Sequence, residues 1–401
     1  MKKITIISVI LLTVVGLLSG CATANTEDVS EAVVEEDEVV EEIAETEEEA
    51  AVVEEVAEET AASVKPFKYG FISWGTADEH GRTLNEALKW AVEAAGGEFL
   101  LDGTAWTAET QIAAAENLIQ SGCDIISFCT YAGEATVPQI SRLCQENGVY
   151  WSMWDTTISD PEIQALIDED PYYVGTTNED QYQAGYDTMK HMIEQGASKV
   201  IVFKYGVNVP TCDERVEGAQ AAADEFGAEF VYEVVAPEDY AKAAQDAITA
   251  FPEADAAYMA GRGQEAPSVA AAFEAAGVED YVLGVFDYGD QMGTMFENGQ
   301  LTISNGGHMV TATFTALMGI NAFFETPLSE EKIFVTIPYL TLTSYDDFLV
   351  YKEYASEGAA YSAEELQQML KVYNPDLTLE DFQEYVSRWS VANIVERKGG
   401  E

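Results

Sequence analysis

The sequence predicts an α/β protein of two Rossmann-like lobes, each a doubly wound parallel sheet covered by helices on both faces. Three observations carry this. Short apolar β-forming runs alternate with amphipathic helical segments from Lys68 to about Ser304. The helical segments close at glycines, and the strand–helix cycle restarts after Gly175. At 401 residues the chain has the length of two ordinary domains with their own cores.

The first unit shows the logic. Tyr69 to Ser73 is a run of β-formers ending in a polar, glycine-containing loop, and from Arg82 the period changes so that Leu84, Leu88, Ala91 and Ala95 share one face. Gly96 and Gly97 end that helix, because the residue after a helix commonly needs positive φ and glycine takes it freely. Glu98 to Leu101 then returns parallel to the first strand, as a βαβ unit does. In open parallel sheets ligands bind beyond the carboxyl ends of the strands, which puts a candidate site at Trp74 to His80.

The chain continues in the same way. Ile112, Ala115, Leu118 and Ile119 form a second helix closed by Ser121-Gly122, followed by a strand from Asp124 to Cys129. A third helix carries Ile140, Leu143 and Cys144 and ends at Asn147-Gly148; strands follow at Val149 to Trp154 and Tyr172 to Gly175. Trp151 and Trp154 point to opposite faces of one strand, so at most one of them reaches a site at its end. Asn178 with Gln181 three residues on reads as a capping-box-like helix start, with Tyr182, Gly185, Met189 and Ile193 as the inner stripe. Strands at 199–205, 230–235, 256–260, 281–286 and 301–304 alternate with helices at 213–226, 240–250 and 265–276. Met309 to Phe324 is one long apolar helix and Ile333 to Tyr345 is strand-rich. Beyond it, acidic helical segments broken at Asn374-Pro375 read as an appended C-terminal piece.

Composition narrows the function. A formal net charge of −53 leaves no basic surface to neutralise phosphates and argues against a nucleic-acid partner. Between Lys3 and Lys65 there is no Lys or Arg, and Glu27 to Glu59 is mostly Glu, Val and Ala without an aromatic residue, the composition of a disordered acidic tether. About 40 such residues span roughly 35 Å as an ideal coil. Ahead of them, a positive start, an apolar run from Ile4 to Leu18 and Leu18-Ser19-Gly20-Cys21 resemble a bacterial lipoprotein signal, in which Cys21 would be lipidated and would hold the protein at the outer face of the cell membrane. Cys123, Cys129, Cys144 and Cys212 form no CxxC pair, and His80, His191 and His308 are scattered. No zinc spacing appears, and no metal or other cofactor is expected. An oxidised pair among the four cysteines stays open. There is no Gly-x-Ser-x-Gly elbow and no Walker A loop, which counts against a secreted hydrolase.

Several local phrases, in order, resemble the type I periplasmic substrate-binding proteins of ABC importers, in particular the ribose and galactose branch. They are Gln111 to Ile126, Asp180 to Gly185, Glu214 to Ala219 and Leu283 to Asp287, and the likeness covers about residues 67–345. The resemblance implies two lobes joined by a hinge of three crossings, near Thr176-Thr177, Ser304-Asn305 and Thr341 to Tyr345. A solute caught between the lobes closes them, and a membrane permease reads the closed form. The domains would be a signal at 1–21, a tether at 22–66, a first lobe at 67–176 with 305–340, a second at 177–304 with 341–345, and a helical extension at 346–401. By the same resemblance Trp74 stands at the position that stacks on a sugar ring, with Asp78 and His80 in its loop. Asp155, Arg215 and Asp287 match the groups that hold hydroxyls, and Asn305 sits near the hinge amide. Arg262, within Gly261-Arg-Gly-Gln264, replaces the usual Asn-Asp and would favour a carboxylate or pair with Asp287, while Tyr131, Trp151, Trp154 and Tyr205 make the strand ends rich in aromatics. His80 and His308 read as structural. The function implied is a monomeric, lipid-anchored receptor that hands a small solute, a sugar above all, to an ABC permease; a sensor subunit of the same fold is the alternative.

Overall fold

A computed structural model describes residues 65–398 except 77, 78, 106 and 208. Cys21, the acidic run and Asp78 lie outside the described residues.

The first sheet holds β1 (Lys68–Ile72), β2 (Glu98–Asp102), β3 (Ile125–Phe128), β4 (Tyr150–Trp154), β5 (Tyr173–Glu179) and β11 (Ile333–Ile337) in the order β11-β5-β4-β3-β1-β2, all parallel. The second holds β6 (Lys199–Lys204), β7 (Glu229–Val235), β8 (Ala256–Met259), β9 (Val282–Phe286), β10 (Ile303–Gly306) and β12 (Leu340–Leu342) in the order β12-β10-β9-β8-β6-β7, parallel but for β12. The central strands are buried on both faces, as parallel strands under helices must be.

The helices of the first lobe are α1 (Glu79–Ala94), α2 (Ala108–Gln120), α3 (Val137–Asn147) and α4 (Pro161–Asp168), and those of the second α5 (Gln181–Glu194), α6 (Pro210–Phe226), α7 (Tyr240–Ala250), α8 (Ala266–Ala275) and α9 (Met292–Glu297). Thr107 caps α2 in a capping box with Thr110, and Gly96, Gly122 and Gly148 take the positive φ expected after their helices. α10 (Met309–Phe323) starts beside the second lobe yet packs under β3, β4 and β5 of the first. Every one of its residues is buried, which explains an apolar composition all round.

The chain therefore crosses between lobes three times, at Glu179 to Gln181, Gly306 to Met309 and Ile337 to Leu340. These points differ by a few residues from the sequence reading. β5 runs through Glu179, so Asn178 stays in the strand opposite Thr336, and Asp180 is the cap of α5, accepting from the Gln183 N–H. Thr177 is polar but buried, and its hydroxyl is satisfied by Thr311 and Thr315 of α10; without those partners the segment would not read as strand. β10 likewise extends to Gly306, and β12 joins the second sheet from Leu340 on, so the third crossing falls ahead of Thr341 to Tyr345.

α5 and α6 cross with backbones in contact. A Cβ on Gly185 would lie 2.0 Å from the Arg215 carbonyl oxygen, and one on Gly218 would lie 1.9 Å from that of Tyr182. Only glycine fits either place, and the close crossing sets Arg215 of α6 beside Gln181 of α5. Tyr182, expected on the inner stripe, is exposed; Gly185, Met189 and Met192 face inward.

The C-terminal piece is not peripheral. α11 (Tyr345–Tyr351), α12 (Ala363–Gln368), α13 (Leu379–Ser387) and α14 (Val391–Arg397) bury Tyr351, Leu366, Phe382, Trp389 and Ile394. These belong to one apolar cluster that also takes in Leu84 and Phe314 of the first lobe and Met292 and Met295 of the second. Cys123, Cys129, Cys144 and Cys212 are free and buried.

Candidate ligand-binding cleft

A cleft of about 1200 Å³ lies between the carboxyl ends of the two sheets. From the first lobe it is lined by Trp74 and His80 after β1, Tyr131 after β3, and Trp154 and Asp155 at the end of β4; from the second by Tyr205, Arg215, Asp287 and Tyr288, with His308 between them. Of the residues singled out in the sequence, Trp74, Tyr131, Asp155, Arg215 and Asp287 meet here.

Trp74 is the centre of an aromatic wall. His80 stacks on it at 5.3 Å, Tyr131 meets it edge-on at 5.8 Å, and Trp154 lies 5.9 Å away. Trp151 faces the other side of the sheet, stacked on Phe128 with its indole N–H on Asp170, as the alternation of strand side chains requires. The facing wall supplies Tyr205 and Tyr288.

Asp155 and Asp287 occupy matching places in the two lobes, directly after β4 and β9, and both have left-handed backbones, φ +44° and +69°. Such a conformation costs on the order of 1–3 kcal/mol and persists where surrounding structure holds it. Here it turns each carboxyl into the cleft. The Asp287 Oδ2 accepts from the Arg262 backbone N–H at 2.9 Å, while its Oδ1 lies 4.0 Å from the Arg215 Nη1 and 3.5 Å from the His308 Nε2.

Arg215 is 4% exposed. Its Nε donates to the Gln181 Oε1 (2.8 Å), Nη1 to the Ala260 carbonyl (2.8 Å) and Nη2 to the Tyr339 hydroxyl (2.7 Å), and its plane lies 4.4 Å from the Phe286 ring centre. Tyr339, at the third crossing, donates its hydroxyl hydrogen bond to the same Gln181 Oε1. These bonds leave part of the guanidinium fork for a cleft occupant.

His308 stands in the second crossing and bridges the lobes. Its Nδ1 is 3.1 Å from the Glu179 Oε1, which also accepts from the Thr311 hydroxyl, and its Nε2 faces Asp287. Burial favours the neutral ring, but the Glu179 carboxylate and the bond to Asp287 outweigh it and hold the imidazole up at about 10, so it is charged at neutral pH. The reverse applies to its partners. Burial alone would raise both carboxyls; the charge and bond of His308 draw Glu179 down to about 2, and the bond from His308 with the Arg215 charge draws Asp287 well below the usual carboxylate range. Asp155 goes the other way, pushed well up by burial and by the neighbouring Glu179 charge.

Two expected residues are elsewhere. The left-handed turn at Arg262 sends its guanidinium outward onto Glu265 at 3.6 Å, half-exposed, so only its backbone N–H serves Asp287. Asn305 lies within β10, not at its end, where its amide donates to the Thr188 hydroxyl and accepts from Thr341. The place expected for it at the strand end belongs to His308. Glu179, Gln181, His308, Tyr339 and Tyr288 were not singled out as site residues. Glu179 carried the same signal as Asp287, a lone acid closing a strand, but only with β5 drawn to its full length. Among the described residues no group of three or more His, Cys, Asp or Glu could hold a metal ion, and no helix is long and apolar enough to cross a membrane.

A family model described as a periplasmic binding protein domain matches residues 69–320. No curated protein matches the chain. Among solved structures, an ABC transporter periplasmic solute-binding protein from Actinobacillus succinogenes with bound D-allose superposes with a TM-score of 0.60 at 15% identity, covering 71% of this chain and 99% of that one. A solute-binding protein from Bacillus halodurans with bound myo-inositol gives 0.56 at 16% identity, over 70% and 96%. An ABC sugar transporter subunit from Rhodobacter sphaeroides gives 0.55 at 16% identity, over 69% and 98%.

Proposed function

The chain belongs to the periplasmic binding protein domain family, and from that membership we propose that it is an extracytoplasmic solute-binding lipoprotein, anchored through Cys21, that captures a sugar between its lobes and delivers it to an ABC permease. The observation that carries the reading is the meeting of Trp74, Asp155, Arg215 and Asp287, from both lobes, around one interlobe cleft. An indole face takes the CH face of a sugar ring without desolvating its hydroxyls. Ionised Asp287 accepts from hydroxyls, Asp155 sets a second carboxyl group across the cleft from it, and Arg215 offers its remaining N–H donors. D-allose and myo-inositol, bound by two of the structural neighbours, are polyhydroxylated solutes of this kind. The cleft also exceeds the ~300–1,000 Å³ of ordinary ligand pockets, as suits lobes that close further on a solute. The reading includes no catalytic step and no cofactor.

A thermal-shift screen over sugars, sugar acids and nucleosides finds the solute, since a tight binder raises the unfolding temperature by mass action. With that solute, Asp287→Ala is expected to weaken binding by about 2 kcal/mol in calorimetry, because it leaves ligand hydroxyls unpaired in a desolvated site. Unchanged affinity removes Asp287 from the site, and hydrolysis of a glycoside by the purified protein counts against the whole reading. For the anchor, Cys21→Ser is expected to move the protein from the membrane fraction to the soluble one; retention in the membrane argues against lipidation at Cys21.

A further inference from the structure

We propose that residues 345–398 form a strap that ties the two lobes together outside the three crossings and limits how far they part. The family match ends at residue 320, so this segment lies beyond it, and none of its side chains lines the cleft.

One end of the strap is seated on the second lobe. Phe348 of α11 packs against Gly293 of α9, so close that a Cβ there would come within 2.3 Å of the ring. Tyr351 meets Tyr288 edge-on at 4.5 Å, and Tyr288 lines the cleft while its hydroxyl donates to the Leu340 carbonyl. The other end is seated on the first lobe. Asn321 of α10, buried, donates to the Met369 carbonyl at 3.0 Å and accepts the Lys371 N–H at 2.7 Å, and Trp90 of α1 donates to the Tyr361 carbonyl at 2.9 Å. Between the two seats the segment is closed on itself, with Arg397 of α14 donating to Glu365 and to the Ala360 carbonyl and lying over the Tyr361 ring. Trp389 packs against Gly307 in the second crossing.

A hinge bends cheaply when only a few crossing residues change their dihedrals. Here a change of interlobe angle must also shear a buried seat at one end of the strap, either aromatic rings over Gly293 or the paired amide of Asn321. Packed interfaces of this kind resist continuous sliding. The strap therefore narrows the range of opening, and through Tyr351 it backs the cleft wall at Tyr288.

The test needs no solute, so its outcome is independent of whether the ligand is a sugar. Glu116→Cys in the first lobe and Gln245→Cys in the second, both at exposed positions, carry spin labels in a Cys21→Ser background, because Cys123, Cys129, Cys144 and Cys212 are buried. In the otherwise unaltered chain the interlobe distance distribution is expected to be narrow. Phe348→Ala and Asn321→Ala, which loosen opposite ends, are each expected to broaden it and lengthen its mean, and the double variant is expected to go little further than the larger single, since a strap released at either end is released. A chain ending at Ser344 gives the full release where it folds; where it does not, the two point variants decide. An unchanged distribution in both single variants and in the double overturns the proposal, as does broadening that simply adds in the double.

Discussion

Arg215→Ala is expected to abolish measurable solute binding and to destabilise the free protein by about 3–5 kcal/mol, the range seen when one partner of a buried charged network is removed. The guanidinium joins Gln181, the Ala260 carbonyl and Tyr339, and lies near Asp287, so its loss strands acceptors of the second lobe and of the third crossing at once. Arg215→Lys is the sharper variant. An ammonium keeps the charge but cannot hold three partners in one plane, so it should regain part of the stability and little of the affinity. Calorimetric titration and denaturant unfolding on both variants check this. Full affinity in Arg215→Lys would show that charge alone, not the planar fork, serves the solute.

His308→Gln is expected to flatten the alkaline limb of stability. The imidazole is held up at about 10 against an ordinary value of 6.5, so its contribution is complete below about 6.5 and disappears as pH rises through 10. Asp155, also raised, loses stability in the same direction. Glu179 and Asp287, both lowered, contribute above the ordinary carboxylate range and lose it only in strong acid. The wild-type protein should therefore be most stable at mildly acidic pH and weaken from neutrality to pH 10, with a smaller loss over that window in His308→Gln. His308→Ala, which leaves Glu179 buried without its cation, should cost about 3–5 kcal/mol near neutrality. Identical pH profiles for wild type and His308→Gln would mean that the ring is neutral in the fold.

Much of this was legible in the sequence, and the omissions share one cause. Alternating apolar strands and glycine-closed helices gave both lobes, because burial on two faces leaves a plain signal in composition. Asp287 was legible as a single acid directly after an apolar strand, and Asp155 through the family resemblance. Glu179 and His308 were not, because β5 and β10 continue past their apolar residues into Thr176, Thr177 and Asn178 and into Asn305 and Gly306. Those polar positions are strand only because α10 and the crossings satisfy them from far along the chain, as Thr311 and Thr315 do for Thr177. With the strand ends drawn short, the hinge was displaced by a few residues and Asn305 was set where His308 stands. The C-terminal helices read as an appendage for a related reason: their acidic faces are evident in sequence, whereas Trp389 and Phe382 find their partners only in three dimensions.

The crossing of α5 over α6 at Gly185 and Gly218 has a consequence for recognition. With main chain against main chain and no side chain between, the two helices have no compliant layer and travel as one plate. Gln181 and Arg215 therefore keep their mutual spacing at any hinge angle. The entropy of arranging that half of the grip is spent in folding, and capture has only the gap between the plates left to adjust.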